Sequence, residues 1–225
     1  MAKYLVIIPA RAGSKGIRFK NLLEIEGRSL IGHAITAALE TELDVDVVIS
    51  SENDLLLKEG VKFGARALKR PKYLATDTAT TISVVEHVLS DVEYTPELVI
   101  VLQPTSPLRR STHVYEAISI AEESDCDSVV SVCEINNEIL KSYCLDDNGY
   151  AIGVHSAEAP FMPRQNLPKT YKANGAIFIT KPLVIQADKR LHGDKLIPYI
   201  MCQESSLDID GEDDLAGLNY KLFLG

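Results

Sequence analysis

The chain has 225 residues, of which 46% are hydrophobic and 24% are charged, and its formal net charge is −9. These values are typical of a globular protein that can bury a full core as one domain. The negative charge argues against binding to nucleic acid or to an anionic membrane, since both favour a basic protein surface. No signal peptide or membrane-spanning run is visible. We therefore expect a single cytoplasmic domain over residues 1–225.

The cysteines and histidines do not suggest a metal centre. The four cysteines form no Cys-x-x-Cys pair, and the five histidines are scattered along the chain. This pattern predicts free thiols and supports neither a disulfide framework nor a zinc site.

The N-terminal segment combines a buried strand with a basic loop. Tyr4–Ile8 is an apolar run typical of a strand buried on both faces, and Pro9 ends it because proline cannot donate to the ladder. The loop that follows contains two glycines and Ser14, and its cations are Arg11, Lys15, Arg18 and Lys20. Small residues expose backbone N–H groups to an anion and the cations neutralise it, which indicates a polyphosphate site. An ordinary basic surface loop is the alternative, since neither a Walker A loop nor a Gly-x-Gly-x-x-Gly fingerprint is present.

The rest of the chain alternates between strand and helix patterns, which predicts an α/β fold with a mostly parallel sheet and right-handed crossovers. Strands are predicted at Val45–Ser50, Ala65–Leu68, Leu98–Leu102, Ser128–Cys133 and Tyr171–Thr180. Helices are predicted at Ser29–Glu40, Asp54–Phe63 and Ser111–Glu123, and from about Thr81. Because ligands bind at the carboxyl ends of strands in such sheets, the loops after Ile8 and Leu102 are candidates for one crevice.

The loop before the helix at Thr81 is rich in hydroxyl groups. Thr78, Thr80 or Thr81 could face a ligand, although helix N-capping is the better explanation for any single threonine. Asn174-Gly175, in the last predicted strand, leaves room for close approach of another backbone.

Residues 134–172 break the regular alternation. Asp146–Gly149 predicts a hairpin turn, and three prolines exclude a helix over the second half of the segment. We expect an inserted hairpin and extended arm that makes dimer contacts. The segment contains Lys141, Arg164 and Gln165, which from composition alone are solvated surface groups.

Two carboxylates near the C-terminus suggest a cation site. In an extended segment Asp208 and Asp210 point to the same side, which suits a divalent cation completed by water and phosphate oxygens. The alternative is that Asp210 caps a C-terminal helix whose first turn is acidic. That alternative leaves Asp208 unexplained.

The order of several segments resembles the CMP-sialic acid synthetases, or acylneuraminate cytidylyltransferases, which include legionaminate and pseudaminate cytidylyltransferases. The segments that carry the resemblance are Pro9–Ile17 with Lys20-Asn21, Arg70-Pro71 with Ala75–Ala79, Gln103–Arg109, Asn174–Ala176 and Ser206–Asp210. At Lys172-Ala173 the chain departs from the Arg-Pro that is usual in the family. Lysine keeps the charge there but loses the bidentate fork of arginine.

The resemblance implies a Rossmann-like nucleotidyltransferase sheet, similar to glycosyltransferase A, with CTP and an acidic nine-carbon sugar as substrates. It implies Mg²⁺ (or Mn²⁺) on Asp208 and Asp210, and a homodimer with composite active sites. By resemblance, CTP would contact Ala10, Arg11, Ser14, Lys15, Lys20, Asn21, Arg70 and Thr81. The sugar acid would contact Gln103, Lys141, Arg164, Gln165, Asn174 and Phe178. Arg11, Lys20, Asp208 and Asp210 would be catalytic.

Three questions stay open at the level of sequence. CMP-Kdo synthesis is an alternative activity, although Ser14–Ile17 and Lys20-Asn21 are similar to the sialate branch. A non-catalytic nucleotide-binding protein is a second alternative, against which the intact acids and cations argue. The sugar acid itself is N-acetylneuraminate, legionaminate or pseudaminate, and no general base is apparent.

Overall fold

The computed structural model describes residues 2–13, 16–216, 218 and 220–221. The strands in this part of the chain are β1 (Tyr4–Pro9), β2 (Glu24–Ile25), β3 (Arg28–Ser29), β4 (Val45–Ser51), β5 (Arg66–Lys69), β6 (Leu98–Val101), β7 (Ser128–Ile135), β8 (Tyr143–Leu145), β9 (Ala151–Gly153), β10 (Thr170–Thr180), β11 (Leu196–Met201) and β12 (Tyr220–Lys221). The α-helices are α1 (Leu30–Leu39), α2 (Asp54–Lys62), α3 (Thr81–Asp91), α4 (Ser111–Glu123) and α5 (Pro182–Asp188).

Seven strands form the central sheet, in the order β11-β7-β10-β6-β1-β4-β5. β1 pairs in parallel with β4 and β6, β4 with β5, and β7 with β11, whereas β10 runs antiparallel to both of its neighbours. The predicted mostly parallel α/β sheet is thus confirmed. Two small sheets accompany it, one of β12-β2-β3 and one of β8-β9.

Both faces of the sheet are covered by helices, which explains why the first strand is apolar throughout. Val6 and Ile8 belong to a buried cluster that includes residues of α1, α2 and α4. Leu5 and Ile7 belong to a second cluster with residues of α3 and α5. A third cluster lies beside the N-terminal loop and contains Ile17, Leu23, Ile25, Leu30, Ile209 and Leu215.

Side-chain caps fix the starts of three helices. Ser29 Oγ accepts a hydrogen bond from Gly32 N (3.0 Å), Asn53 Oδ1 from Leu55 N (2.9 Å) and Thr80 Oγ1 from Ser83 N (3.4 Å). Thr80, and not Thr81, is therefore the cap of α3. None of the helices in the described ranges is long and apolar enough to cross a membrane.

The C-terminal region differs from its prediction. A 3₁₀ helix of four residues, Glu212–Leu215, stands where the sequence predicted the start of a C-terminal helix. Ala216 already has extended dihedrals (φ −59°, ψ 124°), and β12 then pairs with β2. Strand pairing has overridden the helical tendency of the acidic turn. The sequence also gave no indication of β11, an edge strand whose Pro198 is tolerated at a sheet edge.

Strands β7 and β10 extend further than the pattern indicated. Thr170 pairs with Ile135 and Lys172 with Cys133, so the predicted excursion over 134–172 leaves the sheet between residues 136 and 169. We call residues 136–169 the arm. It contains the β8–β9 hairpin, and the predicted turn at its tip is confirmed: Asp146 Oδ1 accepts from Asn148 N (3.0 Å) and Tyr150 N (2.8 Å), and Gly149 has φ +82°.

Candidate active site

A cleft of about 320 Å³ opens at the carboxyl ends of the parallel strands. It is lined by segments that follow β1, β5 and β6 and by the start of α3, as expected for a sheet of this topology. Six of the predicted site residues line it: Arg11, Lys20, Asn21, Arg70, Thr81 and Gln103. The sequence-based expectation that the loops after β1 and β6 share one crevice is therefore confirmed.

The loop after β1 is held by polar contacts at its base. Arg11 Nη1 donates to Thr76 O (3.1 Å) and to Asp77 Oδ1 (2.8 Å), which connects this loop to the hydroxyl-rich loop before α3. Asn21 is buried and its Nδ2 donates to Arg11 O (2.9 Å). Its amide therefore fixes the backbone that presents Arg11.

Three of the predicted nucleotide ligands contribute differently or are not described. Ala10 is fully buried in the core, and its backbone N donates to Ser50 O (3.0 Å), so its side chain does not reach the cleft. Ser14 and Lys15 lie outside the described residues.

Glu52 is a site residue that sequence reasoning missed. Arg70 is buried, and its Nη2 lies 3.3 Å from Glu52 Oε2, while Glu52 Oε1 accepts from Ala12 N (2.8 Å). Burial lowers the pKa of Arg70, and the charge of Glu52 opposes that shift. Glu52 thus links the buried guanidinium to the loop after β1. Its signal in the sequence was an acid directly after a buried strand.

Lys20 connects the N-terminal loop to the segment that carries the two predicted metal ligands. Its Nζ donates to Ile209 O (2.7 Å) and lies 3.2 Å from Asp210 Oδ1. Ile209 is fully buried, and its N donates to Thr105 O (2.8 Å). The Asp208 side chain is partly buried and the Asp210 side chain is 81% exposed, and neither residue lines the cleft itself.

The helix-capping alternative for Asp210 is not supported. Asp214 Oδ2 accepts the hydrogen bonds from Asp210 N (2.9 Å) and Gly211 N (2.8 Å). Asp214 thus satisfies the N–H groups at this turn. The carboxylate of Asp210 contacts Lys20 instead.

Asp208 fits a cation ligand. Within the described residues its Oδ1 is buried without a hydrogen-bond partner. Burial raises the pKa of Asp208, the negative charge of Asp210 raises it further, and a hydrogen bond from the Thr105 side chain opposes both. Two hard carboxylates with an unsatisfied oxygen suit Mg²⁺. In the described ranges no three or more His, Cys, Asp or Glu side chains are placed so that together they could hold a metal ion. An ion on Asp208 and Asp210 would therefore take its other ligands from water and substrate oxygens.

Gly175 allows two of these groups to approach each other. It has φ +76°, and a Cβ at this position would lie 3.3 Å from Gln103 Oε1 and 3.5 Å from Asp208 Oδ2. The Gln103 amide and the Asp208 carboxylate therefore both lie against the Gly175 backbone. Glycine is required here by conformation and by space.

Arg109 holds the backbone next to Gln103 and Gly175 in place. Its Nη1 donates to Gln103 O (3.0 Å) and to Ala176 O (2.8 Å), which joins the loop after β6 to β10. The side chain is buried, and this burial lowers the pKa of Arg109 to about 9. The residue was part of a sequence motif, but its inward direction was not readable from the motif.

The predicted sugar ligands on β10 do not line the cleft. Asn174 is 5% exposed, and its amide contacts Ser131 and Ser206. Phe178 is half-buried and packs against the apolar cluster under α3 and α5. Lys172 is exposed and is the third residue of the strand's ladder with β7.

The predicted ligands in the arm also lie elsewhere. Arg164 and Gln165 are exposed and line a shallow cavity of about 360 Å³ together with Asn137 and Lys169. Lys141 ends the 3₁₀ helix Asn137–Lys141 at the base of the arm. Within one chain, the structure does not bring these cations to the cleft that contains Arg11.

Comparison with known proteins agrees with this architecture. Residues 5–203 match the model of a cytidylyltransferase family. The chain is 37% identical over 223 residues to the N-acylneuraminate cytidylyltransferase of Streptococcus agalactiae serotype V, an alignment that covers 98% of this chain and 54% of that protein. The chain thus spans about half the length of this curated relative. It is 32% identical over 221 residues to the CMP-N,N'-diacetyllegionaminic acid synthase of Legionella pneumophila, with 95% and 94% covered.

The fold is shared with a solved CMP:2-keto-3-deoxy-manno-octonic acid synthetase complexed with CTP, at a TM-score of 0.72, 18% identity and 96% coverage of both chains. That similarity supports the predicted nucleotidyltransferase sheet. Together with the family match and the 37% identity over almost the whole chain, it leads to one conclusion. The chain belongs to the cytidylyltransferase family.

Proposed function

We propose that this protein transfers CMP from CTP to the anomeric hydroxyl of a nine-carbon α-keto acid sugar and releases pyrophosphate. The observation that carries the proposal is that three cations from two loops line one cleft: Arg11 and Lys20 follow β1, and Arg70 follows β5. Lys20 also contacts the Asp208–Asp210 segment. The relatives named for acylneuraminate and diacetyllegionaminate chemistry support the sugar class.

The chemistry requires positioning and charge neutralisation more than covalent catalysis. The hydroxyl oxygen attacks the α-phosphorus in line, the bond to pyrophosphate breaks, and the hydroxyl proton is released. Arg11 and Lys20 would neutralise the phosphates, while Arg70 and Thr81 would contact the nucleoside. Asn21 and Glu52 hold the backbone and the guanidinium that make these contacts.

Asp208 and Asp210 would hold Mg²⁺ (or Mn²⁺). When bound there, the ion would neutralise charge on the α-phosphate and lower the pKa of the attacking hydroxyl. Lys20 would keep Asp210 oriented, and the backbone contact of Ile209 with Thr105 would hold the segment that carries both carboxylates against the loop after β6.

The sugar acid carries a carboxylate, which calls for a cation outside the triphosphate site. Gln103 lies beside Asp208 and is a neutral ligand. Lys141 and Arg164 are in the arm, which also exposes Leu145, Tyr150 and Phe161. We propose a cytoplasmic homodimer in which the arm of one protomer completes the sugar site of its partner. The surface apolar residues support this assembly, because such patches are typical of protein interfaces.

The test is a pyrophosphate-release assay of the purified protein with Mg²⁺. CTP is combined with N-acetylneuraminate, legionaminate, pseudaminate or Kdo, and then replaced by UTP, ATP or GTP with the best acid. We expect activity with one of the three nine-carbon acids. We also expect a preference for CTP over UTP of roughly two to five orders of magnitude. A site that forms hydrogen bonds to the exocyclic amine of cytosine binds uracil, which lacks this amine, much more weakly.

Three outcomes would contradict the proposal. Equal rates with CTP and UTP would remove the cytidine assignment, and higher activity with Kdo would assign the eight-carbon branch. A protein that binds CTP but releases no pyrophosphate with any acid would be a nucleotide-binding protein without this catalytic activity.

A further inference from the structure

A chain of polar side chains, buried at Ser131 and Asn174 and partly exposed at Ser206, connects three elements. Ser131 is on β7, Asn174 is on β10 and Ser206 ends the short 3₁₀ helix Glu204–Ser206. Ser131 Oγ donates to Asn174 Oδ1 (2.5 Å), and Asn174 Nδ2 donates to Ser206 Oγ (2.9 Å). Ser206 Oγ in turn donates to Cys202 O (2.8 Å).

The amide of Asn174 has no capacity left for a substrate in this arrangement. Its Oδ1 accepts from Ser131 Oγ and from Ala176 N (3.2 Å), and its Nδ2 donates to Ser206 Oγ and to Met201 Sδ (3.3 Å). An amide has two donor hydrogens and one carbonyl acceptor, and all are engaged. The side chain is 5% exposed and does not line the cleft.

The same chain holds the segment that carries the metal-side carboxylates. Ser206 precedes Asp208 by two residues, and Ile209 is held on the other side by its hydrogen bond to Thr105 O. Asp208 thus lies between two anchored residues. Its Oδ1 has no partner of its own within the described residues, so its position depends on the backbone on both sides and on the hydrogen bond from the Thr105 side chain to the same carboxyl group.

We propose that Asn174 is a positioning residue that places Asp208 for cation binding through Ser206, and not a ligand of the sugar acid. The inference rests on the proposed function. Buried partners of metal ligands orient the ligand, and their loss weakens metal binding without removing any ligand atom. The two roles of Asn174 therefore predict different consequences for Ser206.

Ser206→Ala removes the acceptor of the Asn174 amide and leaves every atom of Asn174 in place. Asn174→Ala and the double variant complete a cycle, and Ser205→Ala is the matched control. Ser205 lies on the same turn, but its Oγ contacts Cys202 Sγ (3.2 Å) and not Asn174. Two quantities are measured for each protein: binding of Mn²⁺ in the presence of CTP by electron paramagnetic resonance, and kcat and KM for the sugar acid at saturating Mg²⁺.

We expect Ser206→Ala to weaken Mn²⁺ binding by about tenfold, the lower end of the effect typical for partners of metal ligands. Asn174→Ala should cause a similar loss, and the double variant should lose no more than the larger single variant, since both changes cut one chain of contacts. The KM for the sugar acid at saturating Mg²⁺ should change by less than about twofold. Ser205→Ala should match the wild type in both measurements.

Normal Mn²⁺ binding by Ser206→Ala would overturn the inference. This variant loses only one hydroxyl group, so we expect it to fold. A rise in sugar KM confined to Asn174→Ala would instead make Asn174 a sugar ligand. Activity of the wild-type protein separates failure of the proposed function from failure of the inference about Asn174. If the wild type releases no pyrophosphate, the proposed function fails and the inference falls with it. If the wild type is active, the Ser206 result decides the inference alone.

Discussion

The cleft and the arm present their polar groups in opposite ways. In the cleft, Arg11, Lys20 and Arg70 each contact an acid or a carbonyl, and Lys20 and Arg70 are largely buried. In the arm, Arg164 and Gln165 are exposed, and the nearby apolar side chains are exposed as well. The cations of the cleft are therefore held in place by the protein itself, whereas these side chains of the arm are open to solvent in the single chain.

This difference indicates what fixes the side chains in each region. Preorganised charges reduce the cost of binding a triphosphate, because side chains do not have to be fixed at that moment. Three large side chains of the arm, Leu145 (72%), Tyr150 (73%) and Phe161 (82%), are more exposed than a monomer would favour. We expect the arm to be ordered by a partner protomer.

The largest effect should come from the cleft. Asp208→Asn keeps the shape of the side chain but removes a charge from the cation site, and several kcal/mol of charge stabilisation correspond to a loss of about 10³-fold in kcat. The thermal midpoint should not fall, since the carboxylate is partly desolvated in the wild type. Pyrophosphate release and thermal unfolding are the measurements. Asp213→Asn, at an exposed acid of the same turn, is the control. A near-normal rate of Asp208→Asn at limiting Mg²⁺ would show that Asp208 does not bind the cation.

The next effect tests whether the arm serves a partner. Arg164→Ala should reduce kcat/KM for the sugar acid by up to about 10²-fold, the cost of a charged hydrogen bond. When Arg164→Ala and Asp210→Asn proteins are unfolded and refolded together, about half of the dimers should be mixed, each with one intact site. Activity should then return to about a quarter of the wild-type value.

Refolding of each variant alone is the control for that experiment, and formation of mixed dimers is checked by mass spectrometry of differently tagged chains. Mixed dimers that stay inactive would show that Arg164 does not act in the partner's site.

A smaller effect tests the apolar surface of the arm. Phe161→Ala should weaken dimerisation by about 2 kcal/mol, or roughly 30-fold in the dimer Kd, if this ring is buried between protomers. Analytical ultracentrifugation measures the change, and CTP binding by the cleft should stay within about twofold. Leu183→Ala is the control, because Leu183 is equally exposed (76%) but lies on α5. An unchanged dimer would place the interface elsewhere.

The smallest effect compares two glycines with the same conformation. Gly175, beside Gln103 and Asp208, has φ +76°, and Gly149 in the arm has φ +82°. Alanine should cost about 1–2 kcal/mol of conformational strain at each. A new Cβ meets Gln103 and Asp208 at position 175 but nothing within 4 Å at position 149. Activity should therefore fall about tenfold or more for Gly175→Ala and stay near normal for Gly149→Ala. Equal activities would contradict the crowding at Gly175.

Much of the fold was readable from local patterns. α4 begins and ends at the predicted residues, and the strands around Tyr4–Pro9 and Val45–Ser51 follow their apolar runs. β11 was not readable, because its pairing with β7 depends on distant residues and its Pro198 argues against a strand. The prediction of a C-terminal helix was wrong for a similar reason, since the pairing of β12 with β2 is a tertiary contact that local sequence does not reveal.

The candidate site was readable as a set of residues but not as a set of roles. The motifs indicated Arg11, Lys20 and Gln103, and these line the cleft. They gave no sign that the Asn174 amide turns inward to Ser131 and Ser206, because a motif records residue types and not side-chain directions. Glu52 was missed because a single acid after a strand has many structural explanations.

The ladder between β7 and β10 changes character at the bulge. Ala173 pairs with Val132 and Phe178 with Val130, so four residues of β10 lie opposite Ser131. Here a side chain replaces the usual backbone partner, since Ile177 N donates to Ser131 Oγ (2.7 Å). Backbone rungs survive almost any substitution, whereas this one depends on the identity of a single residue. The geometry of this bulge thus depends on the Ser131 hydroxyl, and a residue without a hydroxyl at this position would leave Ile177 N without this acceptor.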